Sequence, residues 1–144
     1  MDRSELLSIT EESCRYDIDR IESMSKAPFA EELGITLVHV SKEKTVAQMP
    51  ICGKILNSLG IVHGAATFGL IDHAFCVACN IGCDAVGQSC NVHYYRPATE
   101  GPLTAEAVLI NDSRSMSDYD VKVFGGGKLI ASAVCTGFKL GEKR

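Results

Sequence analysis

Residues 57 to 80, NSLGIVHGAATFGLIDHAFCVACN, constrain this chain more than any other stretch. Their length and Ala/Leu/Phe content predict a helix of about five turns, from roughly Val62 to Ile81. Such a helix is apolar nearly all round and belongs inside a fold rather than on its surface. Gly69, Asp72 and His73 interrupt its centre, and it is too short for a bilayer span. A carboxylate in a buried helix is costly unless something pairs with it or needs it. Asp72 is therefore a candidate general base or nucleophile, set against the plainer reading of a structural carboxylate paired with an arginine or a helix N-terminus.

The 144 residues are 46% hydrophobic, enough for one domain with one core. The net charge of −4 offers no basic stripe, so nucleic acid is not an expected partner. The acid-rich first residues lack the apolar core of a signal or transit peptide, and no membrane segment is expected. An odd number of cysteines, seven, points to free thiols in a reducing cytoplasm.

Residues 4 to 24 predict one amphipathic helix with Ser4 as N-cap and an apolar stripe of Leu6, Leu7, Cys14, Ile18 and Ile21. A short turn of helix from Ala30 ends at Gly34. Strands are expected over Ile35–Ser41 and Thr45–Ile51, a hairpin turning at Lys42-Glu43-Lys44, with apolar residues on both faces of the first. The central helix follows a loop from Cys52 to Gly60. Four more strands are expected over Ser89–Tyr95, Leu103–Asn111, Ser117–Phe124 and Lys128–Lys139, the last two joined through Gly125-Gly126-Gly127. Gly141 to Arg144 reads as a frayed tail. The fold class is α+β, an antiparallel sheet curled round the apolar helix, with an N-terminal helix over 1–26 and one domain over 27–144. Such a sheet leaves an outer face and edges uncovered, so at least a dimer is expected.

His63-Gly64 stands at the expected N-terminus of the central helix. Unpaired backbone N–H groups and the positive dipole end there suit a developing oxyanion, and Gly64 admits close approach. A histidine there also serves as an ordinary cap. Asn57 forms a plain turn or donates its amide to a carbonyl. Cys76, Cys79 and Cys83 share a face with Asp72 at helical spacing, and Cys90 offers a fourth thiol. No second C-x-x-C exists, and the spacing continues an apolar helix, so they read as packing residues and no metal site is expected. His39 and His93, each inside a strand, read as structural. His73 lies about 100° round the helix from Asp72 and does not form a dyad with it.

Asn57-Ser-Leu-Gly60-Ile-Val-His63-Gly64 followed by Leu70-Ile-Asp72-His-Ala74 resembles the signature of hotdog-fold thioesterases, nearest to the phenylacetate-pathway (PaaI-like) acyl-CoA branch. The likeness continues upstream through Pro28-Phe29-Ala30-Glu31-Glu32-Leu33-Gly34-Ile35 and downstream to Tyr95-Arg96-Pro97, covering roughly residues 28 to 139. It implies a hotdog domain over 27–144 and hydrolysis of acyl-CoA to free acid and CoA, with no cofactor beyond the substrate. The site would be composite, Asp72 of one protomer facing Asn57, His63 and Gly64 of another, in a homodimer that pairs further into a tetramer. Gly64 would polarise the thioester carbonyl; Asp72 would activate water or attack directly. Three features depart from the family pattern. Ala65 replaces the second glycine of H-G-G and narrows the pocket. Ile-Asp72-His73-Ala replaces Ala-Asp-Thr-Ala. Ser89 or Cys90, with Cys90 favoured by spacing, stands where some members orient the attacking water, although a thiol does this poorly. Arg96, Arg114 and the serine-rich turn containing Ser115 are candidate contacts for the nucleotide phosphates. An acyl-carrier-protein thioesterase and a non-catalytic acyl-CoA-sensing module are the competing readings. A sensor has no need of Asp72, and a hydratase needs a histidine better placed than His73.

Overall fold

The computed structural model describes residues 1–142. The N-terminal helical segment is present but broken. Helix α1 spans Arg3–Ile9, a 3-10 turn Glu12–Asp17 and α2 Ile18–Ser25. The cap is Asp2 rather than Ser4: its side chain accepts from the Glu5 amide, and Glu5 reaches back to the Asp2 amide as a capping box. The break comes at Thr10, which forms a bridge to Val40 and leaves helical geometry. Of the predicted stripe, Leu6, Cys14 and Ile21 are buried, while Leu7 and Ile18 are only half-buried. Arg3 pairs with Asp19 and Glu22 and ties α1 to α2.

Helix α3, Pro28–Leu33, starts two residues earlier than predicted because Pro28 suits the first helical turn. It ends on Gly34 in the left-handed region at φ 70°. Strands β1 (Thr36–His39) and β2 (Lys44–Met49) form the expected hairpin. A bulge between Leu37 and His39 turns Val38 to solvent, so β1 is not covered on both faces. Helix α4 runs Gly64–Cys79; Val62 lies in a bridge to Leu56, and Asn80 caps the end.

Strand β3, Cys83–Tyr94, begins six residues before the predicted start, so Cys83 sits in the sheet and not on the helix. Its first half is polar, glycine-containing and bulged, as an edge strand is, and lacks an apolar alternation to read. Strands β4 (Leu103–Asp112), β5 (Met116–Gly125) and β6 (Lys128–Glu142) complete the sheet. Gly141, expected in a tail, lies within β6, and the remainder of that tail, 143–144, lies outside the described residues.

Among the described residues the six strands form one antiparallel sheet in the order β1-β2-β4-β5-β6-β3. It wraps α4, whose Leu70, Ile71, Ala74, Phe75, Val77 and Ala78 are fully buried. Phe75 meets Tyr119 of β5 edge to face at 5.7 Å. The Tyr119 hydroxyl reaches out of the core to donate to the Lys42 carbonyl at 2.7 Å. Gly69 lets α3 pack onto α4, for a Cβ there would lie 3.0 Å from the Phe29 ring. The convex face of the sheet is uncovered, with Val108, Ile110, Val134 and Phe138 exposed. No helix of the described residues is long and apolar enough to cross a membrane.

Candidate active site

Asp72 lies midway along α4, half-buried. Residues on a helix advance by about 100° each, so Asp72 sits between the face turned to the sheet and the face turned to α2 and α3. Its hydrogen-bond partner is a thiol, Cys76 Sγ, 3.9 Å from Oδ2. Burial raises the Asp72 carboxyl above the ordinary aspartate range, and the weak thiol donor opposes this only slightly. No cation is paired with it among the described residues.

Cys90, on the edge strand, lies near enough to this carboxylate for its charge to act on the thiol. It is half-buried and stands opposite Cys135 in the β3–β6 ladder. Burial raises the thiols of Cys76, Cys90 and Cys135, and the nearby Asp72 charge adds to the effect in each. One thiol, Cys76, therefore bonds Asp72, and those of Cys79, Cys90 and Cys135 lie near enough to feel its charge. Ser89 is exposed, while Cys90 packs partly against the core; both border a cleft of about 630 Å³ with His93, Asp120 and Val134. Cys135 was not singled out in the sequence, since only the strand pairing brings it beside Cys90.

At the N-terminus of α4, His63 is the cap: its Nδ1 accepts the Ala65 N–H at 3.0 Å. The Gly64 N–H makes no hydrogen bond among the described residues and is left at the positive end of the helix. Asn57 Oδ1 accepts the amides of Leu59 and Ile61 at 2.9 and 3.3 Å. The Asn57 carbonyl is thus committed to the loop, and its NH₂ is the end left to donate. Asn57, Gly64, Thr67 and Arg96 line one cleft of about 350 Å³. Tyr94, which sequence reasoning passed over for its neighbour Tyr95, closes the cleft: its hydroxyl donates to the Gly64 carbonyl at 3.1 Å. Ala65 is exposed one residue further along.

Arg114 and Ser115 lie elsewhere, with Lys42 and Lys139 in a cleft of about 700 Å³ that also includes Gly82 and Cys83, beyond the C-terminal end of α4. One chain therefore does not bring Arg96 and Arg114 together. His39 pairs with Glu11 at 3.2 Å, a partner the sequence did not reveal. His93 stacks on Tyr95 at 6.3 Å. His73 makes no bond to Asp72, and burial lowers its pKa. No group of three or more His, Cys, Asp or Glu side chains among the described residues is placed to hold a metal ion.

A buried helix wrapped in a curved antiparallel sheet defines the hotdog class, and this chain adds a half-buried carboxylate on that helix and an unbonded amide at its start. A family model described as the thioesterase superfamily matches residues 59–131, and the chain belongs to that family. Acyl-coenzyme A thioesterase PaaI of Escherichia coli is 32% identical over 96 residues, covering 65% of this chain and 69% of the relative. Acyl-coenzyme A thioesterase 13 of Pongo abelii is 30% identical over 119 residues, 77% and 85% of the two chains. The solved structure of the E. coli PaaI protein superposes with a TM-score of 0.84 at 26% identity, over 90% of this chain and 97% of that one. The TT0310 protein of Thermus thermophilus gives 0.76 at 36% identity, over 79% and 98%. The fold is the hotdog fold.

Proposed function

We propose that this chain hydrolyses acyl-CoA thioesters to the free acid and CoA, with Asp72 as the general base or nucleophile. The observation that carries the reading is Asp72 itself: a half-buried carboxylate whose bonding partner is a thiol, on the central helix of a thioesterase-family chain. Two named relatives, both acyl-CoA thioesterases, support the substrate class. No cofactor is needed, since the CoA thioester is the substrate.

The active unit in this reading is a homodimer. Gly64 and Asp72 are eight residues apart on one helix, so their backbones are separated by about 12 Å along its axis. A single carbonyl group accepts a hydrogen bond at about 3 Å and is attacked at about 3 Å, so it does not reach both. A second copy placing its Gly64 opposite Asp72 removes the difficulty. The exposed Leu59, Phe68 and Tyr94 and the open edge of β3 support such a contact. Pairing of two dimers through the uncovered convex face is the corresponding tetramer. The Gly64 N–H and the Asn57 NH₂ hold the carbonyl oxygen, and Cys90 flanks the attacking water as a weak partner. Arg96, in the Gly64 cleft, is the favoured phosphate contact; Arg114 and Ser115 serve only if the nucleotide crosses to the far end of the helix. Seven free thiols support a cytoplasmic location.

Thiol release measured over a panel of acyl-CoAs tests the activity, with Gly64→Val as the companion variant. A Cβ at position 64 would lie 3.5 Å from the Tyr94 ring, ordinary contact, so the fold accepts a side chain there. Blocking the backbone donor should lower turnover about 10²–10³. Wild-type turnover in folded Gly64→Val would place the carbonyl elsewhere. Light scattering showing only a 15.5 kDa monomer at micromolar concentration would remove the composite site.

A further inference from the structure

A cavity of about 560 Å³ lies between α2 and α4, lined by His73 and Cys76 next to Asp72 on the helix. Its floor is His73, Cys76 and Val77 of α4 with the cap Asn80; its roof is Asp19, Arg20, Ser23 and Met24 of α2 with Ala27 just beyond it. From the geometry we infer that this cavity seats the acyl group of the substrate, and that it selects uncharged, apolar acyl groups larger than acetyl. The inference rests on the hydrolase reading above.

Continuity with Asp72 is the first argument. Cys76 both lines the cavity and meets the Asp72 carboxylate, and His73 is the next residue along the helix. A thioester carbonyl held at Asp72 therefore has the cavity directly beside it. The size falls within the range usual for small-molecule sites.

The chemistry of the wall is the second argument. The charged groups around the cavity are already paired, while the buried His73 Nε2 has no hydrogen-bond partner among the described residues. The Asn80 side chain donates to the carbonyls of Cys76 and Ala85 and accepts the Ala85 amide. Arg20 is paired with Asp84, and Asp19 with Arg3. Burial keeps His73 in its neutral form. A carboxylate at the end of an acyl chain would find no free cation there, whereas Met24, Ala27, Cys76 and Val77 offer apolar contact.

The roof is also built firmly enough to discriminate. Ile21 is completely buried, Arg20 bonds Asp84 at the start of β3, and buried Asp17 accepts the Gly82 amide at 2.9 Å. The N-terminal segment, outside residues 59–131 matched by the family model, thus supplies one wall of a specificity pocket rather than a plain surface helix.

The test compares kcat/KM for octanoyl-CoA, acetyl-CoA and glutaryl-CoA in the wild type, Ala27→Phe and Met24→Ala, each checked for fold by circular dichroism and for size by light scattering. The wild type should prefer octanoyl-CoA and reject glutaryl-CoA. Ala27→Phe should lower the octanoyl-to-acetyl ratio at least about tenfold, since each methylene in an apolar pocket is worth about 10–200-fold. Met24→Ala should move the preference toward longer chains, and it carries the test if Ala27→Phe does not fold. Folded variants with the wild-type chain-length profile, or a wild type indifferent to chain length or charge, would overturn the pocket while leaving the hydrolase. A wild type inactive on every acyl-CoA would overturn the hydrolase reading itself.

Discussion

Asp17 and Asp72 are two aspartates withdrawn from water in the same chain, and their surroundings are opposite. Asp17 is completely buried at the end of the 3-10 turn. It accepts the Gly82 N–H at 2.9 Å and has Arg20 Nε at 3.6 Å. Gly82 adopts φ 84°, and a Cβ there would lie 2.8 Å from the Tyr16 hydroxyl, so the turn that offers this amide requires glycine. Asp72 is less buried yet has only a thiol within bonding range and a raised pKa. Asp17, which joins elements, has a backbone amide and a guanidinium at one carboxylate oxygen. Asp72 is left short of donors, which keeps its carboxyl basic at the expense of stability, as the proposed catalytic role requires.

Exchanging the readouts tests this contrast most strongly. Asp72→Asn keeps shape but removes the basic oxygen, and turnover on the best acyl-CoA should fall about 10²–10⁴, while acyl-CoA affinity by calorimetry holds or improves. A folded Asp72→Asn protein with wild-type turnover would make Asp72 a second Asp17 and assign the base or nucleophile to another group. Asp17→Ala should do the reverse. Removing one partner of a buried pair costs about 3–5 kcal/mol, visible in denaturant unfolding, while kcat stays within a few-fold for the protein that remains folded. A large loss of kcat with unchanged stability would erase the distinction.

The pH profile sharpens the comparison. Burial holds the Asp72 carboxyl above its ordinary range, so the acid limb of kcat/KM should lie above the ordinary aspartate value of 3.8 and vanish in the residual activity of Asp72→Asn. An acid limb unchanged by the substitution would assign it to another group. The smallest effect is on folding. A carboxyl whose pKa is raised by folding stabilises the protein while protonated, below its unfolded pKa, and loses that contribution as pH rises through the folded value. Asp72→Asn, resembling the protonated form, should therefore melt higher than wild type at neutral pH, with the gap closing toward about pH 3. A lower melting temperature at neutral pH would show that the ionised carboxylate supports the fold after all.

Asp72 was legible because a carboxylate in an otherwise apolar run stands out in one dimension, and the adjacent His63-Gly64 marks a helix start by residue type. The cap role of His63, by contrast, needed the Nδ1 contact with the Ala65 amide to be seen. Asp17 was not legible: among the many acids of the N-terminal segment nothing distinguishes it until Gly82, 65 residues away, closes over it. Cys90 was chosen over Ser89 by counting, and strand parity explains why the count points inward: Cys90 faces the helix and Ser89 does not. The early start of β3 was hidden because its first residues owe their strand conformation to pairing with β6 rather than to their own pattern.

By itself the sequence determined the central helix, the hairpins around it and the carboxylate that the fold must accommodate, since periodicity, turn chemistry and an out-of-place charge are local properties. Only the tertiary structure decided which thiols of the sheet come near Asp72 and that α2 roofs a cavity along the same helix. Those facts depend on contacts between residues distant along the chain, and such contacts are set by how the sheet curls and packs, which no local pattern records.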